Sequence, residues 1–287
     1  MTCKHIGYDL AGRILTITLD RPEALNAWTY PMLQEFHDAL RRGNEDDEVG
    51  AVIVTGSGRA FSAGSDLSTI HTPQSREAAR GFYPPSGIHR DAGGAISLRI
   101  FDYDKPIIAA INGPAAGYGA TMTLPMDARI CATTARFGFV FTRRGLMPEA
   151  CATWFLPRLV GIAKALEWVQ HGHVFGAEEA LAAGLVREVV EPEALLPRAR
   201  AIAEDLLANG APLSHAMTRR LMWQMLGADH PMIANRLESK AVEFLLDTAD
   251  AREAIDAFLT KRQPRYTMRP ARDLPADFPW RDSPTFD

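Results

Sequence analysis

Two short stretches put small residues where only the main chain can act: Ala60-Phe61-Ser62-Ala63-Gly64-Ser65-Asp66-Leu67, and Ile111-Asn112-Gly113-Pro114-Ala115-Ala116-Gly117-Tyr118-Gly119-Ala120. Each follows an apolar run of β type. Glycines beside an amide let a ligand come close to the backbone, and a helix opening after Gly117 would add a field favourable to negative charge. N–H groups converging from two separate segments stabilise an oxygen that gains charge during reaction. Taken singly, each stretch is a glycine turn. Together they point to carbonyl chemistry.

Other chemistries find less support. A dinucleotide fingerprint built on Gly117 and Gly119 would need its third glycine at Met122, and no Gly-Lys-Ser/Thr completes a phosphate loop. There is no nucleophile elbow and no His-Glu-x-x-His. His171-Gly172-His173 could hold a metal, but it also reads as a solvated turn near a helix end. The three cysteines, Cys3, Cys131 and Cys151, are odd in number and lack C-x-x-C spacing. This speaks against a disulfide framework or a structural zinc site.

The 287-residue chain carries a net charge of −4, with its basic residues scattered in pairs such as Arg41-Arg42, Arg143-Arg144 and Arg219-Arg220. A nucleic-acid partner would need a basic stripe, so none is expected. No run approaches the roughly 18 apolar residues of a membrane span. The segment from Met1 to Asp9 has no apolar leader core. The expectation is a soluble cytoplasmic protein without a membrane partner.

The elements that position the two glycine stretches follow from periodicity. Ile14-Leu15-Thr16-Ile17-Thr18-Leu19 alternates with period two, putting Leu15, Ile17 and Leu19 on one face of a strand. Leu33, Phe36 and Leu40 recur at helical intervals, with Thr29 as N-cap and Pro31 in the first turn. Ala51 to Thr55 and Pro106 to Ile111 are apolar runs too short for helices, as in strands buried on both faces. Strands alternating with helices predict an α/β architecture with a largely parallel sheet.

Between Thr72 and Gly94 the pattern is lost among Pro73, Gly81, Pro84, Pro85, Gly87, Gly93 and Gly94, predicting a long, mobile loop that shapes a pocket. From Gly161 onward helical spacing dominates, over Ala163 to Val169, Glu178 to Ala183, Leu195 to Leu207, Leu213 to Leu226, Ile233 to Leu246 and Ala251 to Leu259. A boundary near residue 200 divides a core over 1–200 from a helical region over 201–262 and a tail over 263–287. The tail's Pro264, Pro270, Pro275, Pro279 and Pro284 exclude a helix or central strand. Its Phe278, Trp280 and Phe286 predict packing over a neighbouring surface, the alternative being a disordered tail.

Four segments carry a resemblance: Asp20-Arg21-Pro22-Glu23-Ala24-Leu25-Asn26-Ala27; Val54-Thr55-Gly56 with 60–67; Lys105-Pro106-Ile107-Ile108-Ala109-Ala110-Ile111-Asn112-Gly113; and Glu178-Glu179-Ala180 to Gly184-Leu185-Val186. In order and spacing, over about residues 5 to 262, they resemble the crotonase family, the enoyl-CoA hydratase/isomerase superfamily. The resemblance implies a crotonase-like spiral of β-β-α units, a C-terminal helical trimerisation region, and a homo-oligomer, either trimer or hexamer. It also implies an acyl-CoA thioester substrate, with coenzyme A entering only as part of that substrate and no metal. By position, Ser65 and Tyr118 resemble the two oxyanion-hole amides, which act through the backbone whatever their side chains. The loop of Ala63, Asp66 and Leu67 would run beside the coenzyme, and Ser68 stands where a lysine is often found.

The departures from the family's usual pattern carry the functional expectation. The two glutamates that hold water in typical hydratases would fall at Thr121 and Phe141, and neither is acidic. Phe141 becomes a substrate-contacting residue instead. Gly145-Leu146-Met147-Pro148-Glu149-Ala150-Cys151, leading into Trp154-Phe155-Leu156-Pro157-Arg158, resembles the branch in which one acidic residue sits a turn later. That residue is a glutamate in peroxisomal-type enoyl-CoA isomerases, and an aspartate in dienoyl-CoA isomerases and the chlorobenzoyl-CoA dehalogenase. By itself Glu149 reads as a helix N-terminal glutamate held by the dipole; with the resemblance it is the catalytic carboxylate. In a pocket lined by Phe139, Phe141 and Trp154 its pKa would rise, and it would shuttle a proton from carbon 2 to carbon 4 of a thioester. Enoyl-CoA isomerisation is therefore expected. The alternatives are hydration with Glu149 activating water, hydrolysis or dehalogenation with Glu149 as nucleophile, and a non-catalytic CoA-thioester binder.

Overall fold

Leu15, Ile17 and Leu19 are fully buried along one face of a strand, as their alternation requires. A computed structural model describes residues 3–69, 72–84, 86–280 and 284–286 of the chain. Met1, Thr2, Ile70, His71, Pro85 and the tail residues 281–283 and 287 thus lie outside the described residues.

The main sheet runs in the order β1-β2-β3-β4-β6-β9. Its members are β1 (Ile6–Ala11), β2 (Ile14–Leu19), β3 (Ala51–Gly56), β4 (Ile107–Ile111), β6 (Ala128–Ala132) and β9 (Glu188–Val190). Only the β1–β2 hairpin is antiparallel; the other pairs are parallel. A smaller sheet joins β5 (Ala115–Ala116), β7 (Arg136–Gly138) and β8 (Val174–Gly176).

Besides short 3-10 turns, the described residues form twelve α-helices: α1 (Tyr30–Glu45), α2 (Pro73–Ala79), α3 (Ala92–Phe101), α4 (Tyr118–Thr121), α5 (Ala152–Val160), α6 (Ile162–His171), α7 (Ala177–Ala182), α8 (Leu195–Asn209), α9 (Pro212–Met225), α10 (Pro231–Leu246), α11 (Ala249–Thr260) and α12 (Pro270–Asp273).

The main sheet is buried on both faces, which explains why β3 and β4 read as unbroken apolar runs. On one face Leu15, Ile17, Val52, Val54, Ile107 and Ala109 pack with Phe36 and Leu40 of α1 and Ile96 and Ile100 of α3. On the other, Ile14, Ala51, Ile53, Ile108, Ala110 and Ile130 pack against Leu195, Ala199 and Ile202 of α8. Thr29 caps α1 by accepting from the Met32 N–H, with Pro31 in the first turn.

Two expectations are corrected. The stretch 72–94 is not an unstructured loop. Thr72 accepts from the Ser75 N–H and Pro73 opens α2, so a proline read as a breaker is a helix starter. Likewise Gly93 and Gly94 lie inside the first turn of α3, where Asp91 accepts from both of their N–H groups. The tail does contain a helix, the single turn of α12 opened by Pro270. Its Phe278 and Trp280 pack with Met217 and Leu221 of α9 and Ala241 of α10.

The C-terminal helices are anchored by one buried cation. Arg219 pairs with Asp127 at 2.7 Å and donates to the carbonyls of Ile100, Phe101, Tyr103 and Pro125, tying α9 to the end of α3. Beyond that anchor α10 and α11 keep an uncovered apolar face with Val242, Leu246, Ile255, Phe258 and Leu259, of which Phe258 is 83% exposed. Among the described residues, no helix is long and apolar enough to cross a membrane.

Candidate active site

The first half of the site is backbone held by two amide side chains, one buried and one half-buried. Asn26, fully buried in the left-handed region at φ 54°, donates to the carbonyls of Ser57 and Ala60 and accepts from the Arg21 N–H. Asn112 donates to the Gly58 and Ala60 carbonyls and accepts from the Gly56 N–H. These bonds fix the loop after β3, which continues through bridges from Ser62 to Ala115 and from Ser65 to Trp28. This gives the Arg21 to Asn26 and Lys105 to Gly113 segments a structural role: they shape the 60–67 loop.

Within that loop only glycine fits at position 64. Its φ is +95°, and a Cβ there would approach the Ala116 carbonyl oxygen to 2.6 Å and the Tyr118 nitrogen to 3.5 Å. The Ser65 and Tyr118 segments are therefore brought side by side. Among the described residues neither the Ser65 nor the Tyr118 backbone N–H has an acceptor within the chain. Tyr118 opens α4, so its N–H belongs to the group that a helix start leaves unpaired. Two free N–H groups on adjoining segments can bind a carbonyl oxygen and stabilise it as it gains charge.

The second half is a carboxylate on a strained loop. Phe141 is buried, and its carbonyl accepts from the N–H groups of Arg144 and Leu146, turning the exposed segment that follows. Glu149 closes that segment, and the next two residues, Ala150 and Cys151, are both left-handed at φ 58°. Non-glycine residues in this region carry strain that concentrates at functional sites.

The Glu149 carboxylate is packed between α3 and α4. Oε1 accepts from Thr121 Oγ at 2.8 Å, and a Cβ on Gly93 would collide with Oε2 and with the Tyr118 ring. Burial, and then the negative charge of Asp91, push the Glu149 pKa up to about 8, partly offset by the Thr121 hydrogen bond. Such a group exchanges a proton readily near neutral pH. Tyr118 itself is 3% exposed, and its ring meets Trp28 edge-on at 5.3 Å. Burial raises its phenol pKa well above the ordinary value, so the phenol stays protonated.

The remaining expected residues are distributed as follows. Ala63 and Leu67 are exposed at the mouth of the loop, whereas Asp66 is held by Arg21 at 3.3 Å and by Ser68 at 2.6 Å. Phe139 and Trp154 make their ring contacts in two different places. Phe139 stacks with Trp168 and Phe175 under α6, and Trp154 meets Phe101, Phe155 and Trp223 near α9. Each ring finds a larger apolar partner set there than beside a carboxylate. His173 lies 4.0 Å from Glu179 and near Glu167. Those carboxylates are already engaged, Glu167 by Lys164 and Glu179 by the Trp168 indole.

Sequence reasoning missed Asp91. It caps α3 and also accepts from the Ala150 N–H at 2.8 Å. The available signal was Asp followed by Ala-Gly-Gly ahead of an apolar helical run, a capping pattern hidden by the surrounding glycines and prolines.

Comparisons with known proteins agree with this architecture. A family model described as enoyl-CoA hydratase/isomerase matches residues 10–269. Enoyl-CoA hydratase ACTT3 of Alternaria alternata is 38% identical over 257 residues, covering 89% of this chain and 83% of that protein. The 1,2-epoxyphenylacetyl-CoA isomerase of Escherichia coli strain K12 is 33% identical over 269 residues, 88% of this chain and 95% of its own. The crystal structure of an enoyl-CoA hydratase from Bacillus anthracis superposes with a TM-score of 0.80 at 31% identity, covering 92% of this chain and 99% of that one.

Proposed function

The chain belongs to the enoyl-CoA hydratase/isomerase family, and from that premise we propose that it isomerises the double bond of an enoyl-CoA thioester with Glu149 as its single proton carrier. The observation that carries this reading is the Glu149 carboxylate bonded to Thr121, with no second acidic side chain at Thr121 or Phe141. The Ser65 and Tyr118 N–H groups polarise the thioester oxygen and lower the cost of removing a proton from carbon 2. Glu149 takes that proton, the double bond moves from carbons 3 and 4 to carbons 2 and 3 through a dienolate, and Glu149 returns the proton to carbon 4. A pKa of about 8 suits both directions, because neither protonation state is costly near neutral pH.

Hydration is the second reading, favoured by similarity to relatives such as enoyl-CoA hydratase ACTT3. There the same carboxylate would activate water for addition at carbon 3. The two are separated by incubating the purified protein with a 3-enoyl-CoA and, separately, with a 2-enoyl-CoA. Isomerisation predicts conversion of the first to the conjugated thioester. Conversion of only the second, giving a 3-hydroxyacyl-CoA, overturns it.

A homo-oligomer, trimer or hexamer, accompanies this proposal. Its support is the uncovered apolar face of α10 and α11, where Leu259 is 72% exposed, since a patch of this kind marks an interaction surface. Light scattering on the intact chain tests it, and a monomeric mass would remove it.

A further inference from the structure

We propose that Asp91 is a positioning residue for Glu149, its carboxylate joining the start of α3 to the loop that carries the proton-transferring group. This rests on the reading of Glu149 given above. Asp91 Oδ1 accepts from the Gly93 N–H at 3.0 Å, while Oδ2 accepts both from the Gly94 N–H and from the Ala150 N–H, each at 2.8 Å. The first two bonds are an ordinary helix cap. The third is not needed by the helix.

It is needed by the loop. Thr142 and Arg143 are fastened to the Val169 and His171 carbonyls, but Gly145 then turns at φ 69° and Leu146 and Met147 are exposed, so the last steps to Glu149 have little packing to hold them. Directly after Glu149, Ala150 and Cys151 both occupy the left-handed region, which L-residues keep only where surroundings impose it. The bond from Asp91 acts on the first of these two strained residues. With it in place, the Glu149 carboxylate is set against Gly93, where a side chain larger than hydrogen would collide with Oε2.

The same contact places a negative charge near Glu149. The groups facing Glu149 are Asp91 from the turn before α3, Thr121 and Tyr118 from α4, and Cys151 from its own loop, with Arg90 adjacent to Asp91. Asp91 raises the Glu149 pKa and Thr121 lowers it. Asp91 offers both oxygens to N–H donors, so it orients the loop rather than touching substrate.

Asp91→Asn separates the two jobs. Asparagine caps a helix as well as aspartate does, but it is uncharged and has one acceptor oxygen, so its NH2 group would face either the Gly93 N–H or the N–H groups of Gly94 and Ala150 together. Expected are an unchanged melting temperature, a kcat lowered about 10- to 100-fold by the displaced carboxylate, and a KM within about threefold of wild type. The acidic limb of the pH profile, where Glu149 gains a proton and no longer acts as base, should also move to lower pH, because a neighbouring negative charge is gone.

Asp91→Ser, another good cap that is too short to reach Ala150, should behave alike. Hydrogen exchange on the wild-type chain adds a measurement independent of any variant: the peptide containing Ala150 should exchange more slowly than the exposed 143–147 segment. Wild-type kcat and an unmoved pH limb in Asp91→Asn, or free exchange at Ala150, overturn the proposal. Retained activity in Glu149→Gln would instead remove the catalytic reading on which it rests, so the two failures are distinguishable.

Discussion

The two halves of the candidate site are built on opposite principles. The amide half is main chain, braced by the side chains of Asn26 and Asn112 and following the parallel strands β3 and β4. The acid half is one side chain on an exposed, left-handed loop, fastened through Thr121 and Asp91. A backbone donor is indifferent to the side chain it belongs to, which is how serine and tyrosine can stand at its two positions. A carboxylate is irreplaceable and depends on its surroundings for its pKa, so changing its side chain should matter more than changing the side chains at the two amide positions.

The sharpest test of that contrast is Glu149→Gln, which keeps shape and removes the proton carrier. Turnover of an enoyl-CoA should fall by about 10²- to 10⁴-fold in a steady-state assay, with binding of the thioester retained. Gly64→Ala attacks the amide half where it is sensitive. The new methyl would crowd the Ala116 carbonyl at a φ of +95°, and loss of aligned donors should lower kcat by about 10²- to 10³-fold. If Gly64→Ala kept full activity, the bracing described for this half would be wrong.

The acid half should also leave a mark on stability. In the unfolded chain Glu149 titrates near 4.5, whereas in the folded chain its pKa is about 8. Between those values the folded state holds a proton that the unfolded state has lost, so its contribution to stability falls as pH rises and levels off above about 8. Chemical denaturation of wild type and Glu149→Gln at a series of pH values should show the wild type losing ground across that window. Parallel curves would mean that the carboxylate is better solvated than its packing suggests. The smallest effect is expected for Ser65→Ala, which leaves the N–H in place on an exposed residue. Its kcat/KM should stay within about twofold of wild type, and a large loss would give the serine hydroxyl a role that the comparison denies it.

How much of this was readable in advance varies by element. β2, β3, β4 and α1 follow from local pattern, because burial on one or both faces writes itself into the spacing of apolar residues. The 72–94 stretch is not legible in this way: Thr72-Pro73 and Asp91 act through their place at helix starts, and prolines and glycines there look the same as those of a loop. Residue type groups the aromatics together, yet Phe139 and Trp154 make separate sets of ring contacts, since a period does not say which neighbour a ring meets.

The sequence alone determined the alternation of strands and helices, the family resemblance, and the absence of acids at Thr121 and Phe141. Only the folded chain decided that the Gly64 and Tyr118 segments adjoin, that Thr121 donates to Glu149 across 28 positions, and that Asp91 reaches Ala150 across 59. The reason is physical. Hydrophobic periodicity is a local consequence of helix and strand geometry, whereas a hydrogen bond between distant residues exists only once packing has brought its two ends within about 3 Å.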